Sequence, residues 1–214
     1  MRLPHRIAGL AASLFLGGAV AVAADSDPTI DCLNGDGERR IEACSEMIAS
    51  PELPPEQRSL AYGLRALAYS LRGNYEQALD DYDMAISLKP DFAVALNNRA
   101  WAYYKLGRGS EGRRDVERAL KLAPGSPFAL DTRAHIRQSE GDADAALADY
   151  RGAMRNGGYR IIRLYPCGLR AQGLYFGALD GVLSRALDRA LETCVGSPHC
   201  DPLPADEACL PSVS

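Results

Sequence analysis

The chain has 214 residues, a formal charge of −4 and a sequence pI near 5.4. Apolar residues make up 47% and charged residues 24%, a balance that supports a packed core and excludes both a disordered chain and a bundle of membrane spans. The acidic balance argues against a nucleic-acid protein, and three His residues are too few for a His-built metal site.

Residues 1–23 have the form of an export signal. Arg2, His5 and Arg6 give a positive start, and Ile7 to Val22 is apolar or small throughout. Ala21-Val22-Ala23 and Val22-Ala23-Ala24 are both small-residue cleavage sequences. The apolar stretch of about 16 residues is shorter than the roughly 20 that a bilayer span needs. A retained anchor is the alternative. No Cys stands at the cleavage point for a lipid, since the first is Cys32. The expectation is a periplasmic or secreted chain with no membrane span after cleavage.

All six Cys lie beyond the signal: Cys32, Cys44, Cys167, Cys194, Cys200 and Cys209. An even number in an exported chain reads as disulfides. Zinc is the weaker reading, because no C-x-x-C pair is present. Sequence alone does not choose the pairing. Grouping along the chain suggests Cys32–Cys44, Cys167–Cys194 and Cys200–Cys209. Residues 45–166 have no Cys and must hold together by packing.

Residues 24–57 read as a cap and connector. Within 36–49, Ile41, Cys44, Met47 and Ile48 fall on one helical face, as a lone second helix that precedes the units described next. A Cys32–Cys44 bridge closing about a dozen residues would add ~3 kcal/mol in the chain-entropy model. Asn34 to Gly37 is a turn and helix start, because the acidic spacing and distal Glu of a calcium loop are absent. Ser50 to Pro55 is the connector.

Residues 58–159 repeat at a period of 34. GNYEQALDDYDMAISLKP at 73–90 aligns with GRGSEGRRDVERALKLAP at 107–124 and GDADAALADYRGAMRNGG at 141–158. Gly73, Gly107 and Gly141 share one column, and Ala78, Gly112 and Ala146 another. Tyr82, Val116 and Tyr150 follow, then Ala85, Ala119 and Ala153. Upstream, Ala66, Ala100 and Ala134 align, as do Tyr62, Leu96 and Leu130. Two helices per unit carry apolar residues at helical spacing. Small residues stand where the helices cross, because a larger side chain would force the axes apart. Each pair leaves an apolar face that only a neighbour can cover. Gly109, Gly112, Arg137 and Ala143 depart from the pattern, so packing is expected to loosen toward the third unit.

A second 34-residue period lies in the charges. Arg65, Arg99 and Arg133 are each followed 16 residues later by Asp81, Asp115 and Asp149. That offset places one on each helix of a unit and predicts an Arg–Asp ladder pinning the two together.

The repeat resembles the tetratricopeptide repeat family. The resemblance implies an all-α fold, a right-handed α-solenoid of helix-turn-helix repeats ending in a small disulfide-containing helical segment. It further implies a concave groove lined by the first helix of each unit. Leu60, Gly63, Leu64 and Leu67 would come from the first unit. Val94, Asn97, Asn98, Trp101, Tyr104 and Lys105 would come from the second, and Phe128, Asp131, Thr132, His135 and Gln138 from the third. Trp101 is the chain's only Trp, and aromatic anchors dominate interface energies.

Residues 160–214 carry a second resemblance. Leu169, Gly173, Gly177, Asp180 and Gly181, followed by Val182, Ala186, Ala190 and Leu191, are similar to the small helical peptidoglycan-binding module of cell-wall enzymes. Pro166 stands where that module's first helix runs on, and Ser184 and Leu187 replace its usual residues. Capping the open end of the stack is the other role expected of this segment. No nucleophile elbow, H-E-x-x-H or phosphate loop is present, and His135 and His199 read as surface residues. The expectation is an adaptor, not an enzyme, with no cofactor and no metal. It would bind a peptide or helix of another envelope protein. The alternative is a peptidoglycan-associated protein whose repeats recruit a partner.

Overall fold

The computed structural model describes residues 27–197 and 200–203; the expected export signal, His199 and Cys209 lie outside the described residues. Nine helical elements and no strands occur among the described residues. They are α1 (Pro28–Asn34), α2 (Gly37–Ala49), α3 (Pro55–Leu71), α4 (Tyr75–Leu88), α5 (Ala93–Lys105), α6 (Gly109–Leu122), α7 (Pro127–Ser139), α8 (Ala143–Ala171) and α9 (Arg185–Val195). Three pairs, α3/α4, α5/α6 and α7 with the first half of α8, form the three repeat units. Gly73, Gly107 and Gly141 end the first helix of each unit at φ 79, 73 and 85°, a left-handed conformation that costs glycine nothing.

The small-residue columns of each unit lie in the shared core. Ala66 meets its partner column at Ala78, Ala100 at Gly112 and Ala134 at Ala146, and all five alanines are fully buried. Gly112 shows how tight the crossing is. A Cβ there would come 2.8 Å from the Ala100 carbonyl oxygen and 2.9 Å from Ala100 Cα. Tyr82, Val116 and Tyr150 fill the space beside the crossings with no exposed surface. The third unit does not loosen as expected. Ala146, Tyr150 and Ala153 are as buried as their counterparts, because Tyr150 packs edge-on against Tyr165 further along α8, 5.9 Å between centroids.

The Arg–Asp ladder is present in all three units. Arg65 Nε and Nη2 each donate to Asp81 at 2.7 Å. Arg99 donates to Asp115 at 2.6 and 2.8 Å, and Arg133 to Asp149 at 2.7 and 2.6 Å. The three carboxylates are buried and the guanidiniums about four-fifths buried. A two-pronged pair out of water is geometrically specific as well as strong. The same Arg side chains also tie one unit to the one before it. Arg65 Nη1 donates to Ser45 on α2 at 2.8 Å, and Arg99 Nη1 to Asp83 on α4 at 2.6 Å.

The N-terminal segment corrects the lone-helix expectation. Helix α1 precedes α2 and packs on it, so the cap is a hairpin. Its bridge, Cys32–Cys44, spans 12 residues with Cα atoms 4.7 Å apart. Cys32 stands one 34-residue period before Ala66, and Cys44 one period before Ala78. The disulfide therefore locks the helix crossing at the place where small residues meet in the repeats.

At the other end, α8 breaks at Gly158 (φ 64°, ψ −167°). Residues 159–171 then continue as a helix through the buried Pro166. This half-helix and α9 extend the stack as a further pair. Tyr165, Leu169, Leu187, Leu191 and Cys194 join the same hydrophobic core as the repeats. Arg151 clamps Asp188 of α9 at 2.6 and 2.7 Å. The C-terminal disulfide expectation is overturned. Cys194 pairs with Cys200, so neither Cys167–Cys194 nor Cys200–Cys209 forms. The chain turns back after α9 and brings Cys200 to the helix that carries Cys194, six residues away. Cys167 is disulfide-bonded as well.

Three substitutions test this architecture by urea denaturation. Gly112→Ala, which would usually stabilise a helix, is expected to cost about 1–3 kcal/mol through overpacking. Asp115→Ala should cost about 3 kcal/mol by stranding the Arg99 guanidinium, whereas Asp83→Ala, at the exposed end of the same Arg, should cost under about 1 kcal/mol.

Candidate functional site

Helices α3, α4 and α5 and the second half of α8 line one cavity of about 730 Å³. Its walls include Leu67, Ser70 and Leu71 from α3, Tyr82 from α4, and Asn98, Trp101 and Lys105 from α5. Gln172 closes one end. The remaining wall is Asp201 and Leu203, from the segment that follows α9. Lys105 Nζ lies 5.6 Å from the Trp101 ring centroid, within cation–π range.

The floor is polar and incompletely paired. Tyr82 has no exposed surface, yet its hydroxyl and that of Ser70 make no well-formed hydrogen bond. Ser70 and Asn98 lie beside the phenol, but burial outweighs them and pushes it up to about 12. A buried hydroxyl left unpaired costs about 1–3 kcal/mol.

The expected groove residues separate into three groups. Asn98, Trp101 and Lys105 line the cavity. Val94 and Phe128 stand at the N-terminal ends of α5 and α7, 62% and 63% exposed, outside it. Asn97 and His135 are buried, with Tyr104 and Asp131 half-buried beside His135. Asn97 is buried and donates to Asn98 at 3.2 Å. His135, expected as a groove residue and as a surface side chain, is 2% exposed. The correction has a clear cause: three aromatic rings enclose it. The centroids of Trp101, Tyr104 and Tyr150 lie 5.2, 5.3 and 5.1 Å from the imidazole.

Two carboxylates complete that enclosure. His135 Nδ1 is 2.9 Å from the Asp131 carbonyl oxygen and 3.5 Å from its carboxylate. Nε2 is 3.0 Å from Asp201 Oδ1. Both ring nitrogens therefore face acceptors, and only the imidazolium donates from both. Burial pulls the His135 pKa down, but Asp131 and Asp201 outweigh it and leave it raised. Asp131 itself accepts from the Tyr165 hydroxyl, and Tyr150 donates to Gln138 at 2.9 Å. Burial holds both phenols well above their ordinary range.

Asp201 belongs to a strap, Cys200–Leu203, that overlies α7. Gln138 Nε2 donates to the Cys200 carbonyl at 2.8 Å, and Gln172 Nε2 donates to the Asp201 carbonyl. Pro202 is fully buried. Sequence reasoning did not assign Asp201, Gln172, Ser70 or Tyr82 to the site. Ser70, Gln138 and Gln172 stand in one 34-residue column, so extending the period into the C-terminal segment would have found Gln172; nothing in the sequence marks Asp201. No group of three or more His, Cys, Asp or Glu among the described residues is placed to hold a metal ion. No described helix is long and apolar enough to cross a membrane.

Residues 59–92 and 93–126 each match the family description tetratricopeptide repeat. The solved structures similar to the chain include a crystal structure of MamA, with 19% identity, 56% of this chain and 67% of that chain covered, and a TM-score of 0.48. No curated protein matches.

Two buried phenols respond differently to losing the hydroxyl. Tyr165→Phe removes the donor to buried Asp131 and should cost about 1–3 kcal/mol in urea denaturation. Tyr82→Phe removes a hydroxyl without a well-formed hydrogen bond and should be neutral or stabilising in the same measurement.

Proposed function

We propose that the chain is an exported adaptor, without chemistry of its own, whose inner groove takes an extended peptide or a helix of another envelope protein. The observation that carries this reading is the cavity itself. Leu67, Leu71, Leu203 and the chain's only Trp supply apolar lining, and Asn98, Lys105, Gln172 and Asp201 supply polar groups beside them. A partner's apolar side chains would cover Leu67, Leu71 and Trp101, and its polar groups would meet Asn98 and Lys105. Burial of that kind supplies affinity, while a few fixed polar groups supply orientation. The two matched repeats, modules of protein recognition, support the same reading.

Export is supported by the signal-like residues 1–23 and by the bridges Cys32–Cys44 and Cys194–Cys200, because disulfides persist in oxidising compartments. The alternative of peptidoglycan contact through residues 160–214 has less support. Leu169, Leu187 and Leu191, which belong to that segment, are spent on the core, which favours its role as the end of the stack.

Trp101→Ala tests the groove. With immobilised full-length chain and envelope extract, capture of the bound protein should fall about 30-fold, equivalent to ~2 kcal/mol, with helicity by circular dichroism unchanged. Undiminished capture would move the partner site elsewhere.

A further inference from the structure

The inner face of the third unit is not open. In the first two units the groove presents Ser70, Asn98 and Trp101 to the cavity. In the third, the corresponding surface of α7 is covered by Cys200–Leu203. The coverage is made of peptide-binding contacts. Gln138 and Gln172, one repeat period apart, donate to the consecutive carbonyls of Cys200 and Asp201. Pro202 is buried. The Asp201 carboxylate pairs with His135 at 3.0 Å and accepts from the Leu203 amide at 2.9 Å. The Cys194–Cys200 bridge tethers the strap to α9.

We infer that the inner face of the third unit is a second peptide-reading surface, that its resident occupant is the chain's own strap Cys200–Leu203, and that the His135–Asp201 pair is the catch that holds or releases it. This rests on the groove reading above and adds its regulation: a partner reaches the third unit only when the strap leaves.

The catch depends on charge balance. Facing His135 are Trp101 and Tyr104 of α5, Asp131 of α7, Tyr150 of α8 and Asp201 of the strap; Tyr150 in turn bonds Gln138, Tyr165 bonds Asp131, and Lys105 of α5 acts on Asp201. The imidazolium serves two carboxylates in a space closed by aromatic rings. A neutral imidazole has one N–H for two acceptors and leaves Asp131 and Asp201 facing each other. Because the folded His135 pKa stands above 6.5, the pairing is fully present below pH 6.5 and is lost as pH rises through the folded value. The strap is therefore held at acidic to neutral pH and freed at alkaline pH. Asp131 has Tyr165 to donate to it in either state, so the strap, not the core, is the part that gives way.

Trp101, 5.2 Å from the imidazole and on the cavity wall beside Asp201 and Leu203, reports the catch in the full-length protein without a partner. Its emission should change sigmoidally between pH 5 and 9 with a midpoint above 6.5, and its acrylamide quenching constant should rise about twofold across that midpoint. In Asp201→Asn, which keeps the side-chain shape, the midpoint should fall by about one pH unit and quenching should be high throughout. Gln172→Ala, at the exposed edge of the strap, should raise quenching at pH 6 and provides the test should Asp201→Asn lose helicity. Quenching independent of pH and equal in wild type and the folded variants would overturn the inference. Failure of Trp101→Ala to reduce partner capture would refute the groove reading and leave these measurements untouched.

Discussion

Two helices of a unit can share one core only if their backbones approach closely where they cross, and that steric constraint organises the molecule. At Gly112 the approach leaves no room even for a methyl group. Where the crossing residues are alanines they have no exposed surface. Large side chains, Tyr82 and Tyr150 among them, are displaced to the flanks of the crossing, where they bridge one unit to the next. The Arg–Asp pairs act at the same level. Each fixes the relative position of two helices that the small residues allow to meet, and the Arg65 and Arg99 guanidiniums reach one unit further back. Packing without direction and pairing with direction thus converge on one geometry.

The same crossing appears at the N-terminal end in covalent form. Helix α1 is only 7 residues long, too short to hold its place on a neighbour by burial alone. The Cys32–Cys44 bond occupies the crossing columns and supplies what the short helix lacks. At the C-terminal end the solution differs. The second half of α8 and α9 bring Tyr165, Leu169 and Leu191 into the common core, while Arg151 takes over from the ladder with Asp188. A bridge therefore stands in each terminal part of the described stack, Cys32–Cys44 between α1 and α2 and Cys194–Cys200 between α9 and the strap.

The groove inherits its asymmetry from these ends. The strap is held by the bridge to α9 and by two glutamines in repeat-related positions, so the third unit is occupied from within while the first two stay open. Burying His135 between Asp131 and Asp201 places a titratable cation where a purely structural contact would use an apolar side chain. The enclosure by Trp101, Tyr104 and Tyr150 makes its charge state matter, because a charge without water depends on its partners.

How much of this was legible in the amino-acid sequence follows from how far each feature reaches along the chain. The 34-residue period alone determined the helix pairs, the glycine turns, the crossing columns and the Arg–Asp ladder, because each joins residues within one unit or its neighbour and recurs often enough to be recognised. Cys32–Cys44 belongs to the same short range. Tertiary structure alone decided that Cys194 pairs with Cys200, that His135 is interior while Val94 and Phe128 stand outside the cavity, and that Asp201 lines the cavity. His135 and Asp201 are 66 residues apart and occur once, outside the period. Their meeting depends on the path the chain takes after α9, which no local spacing encodes.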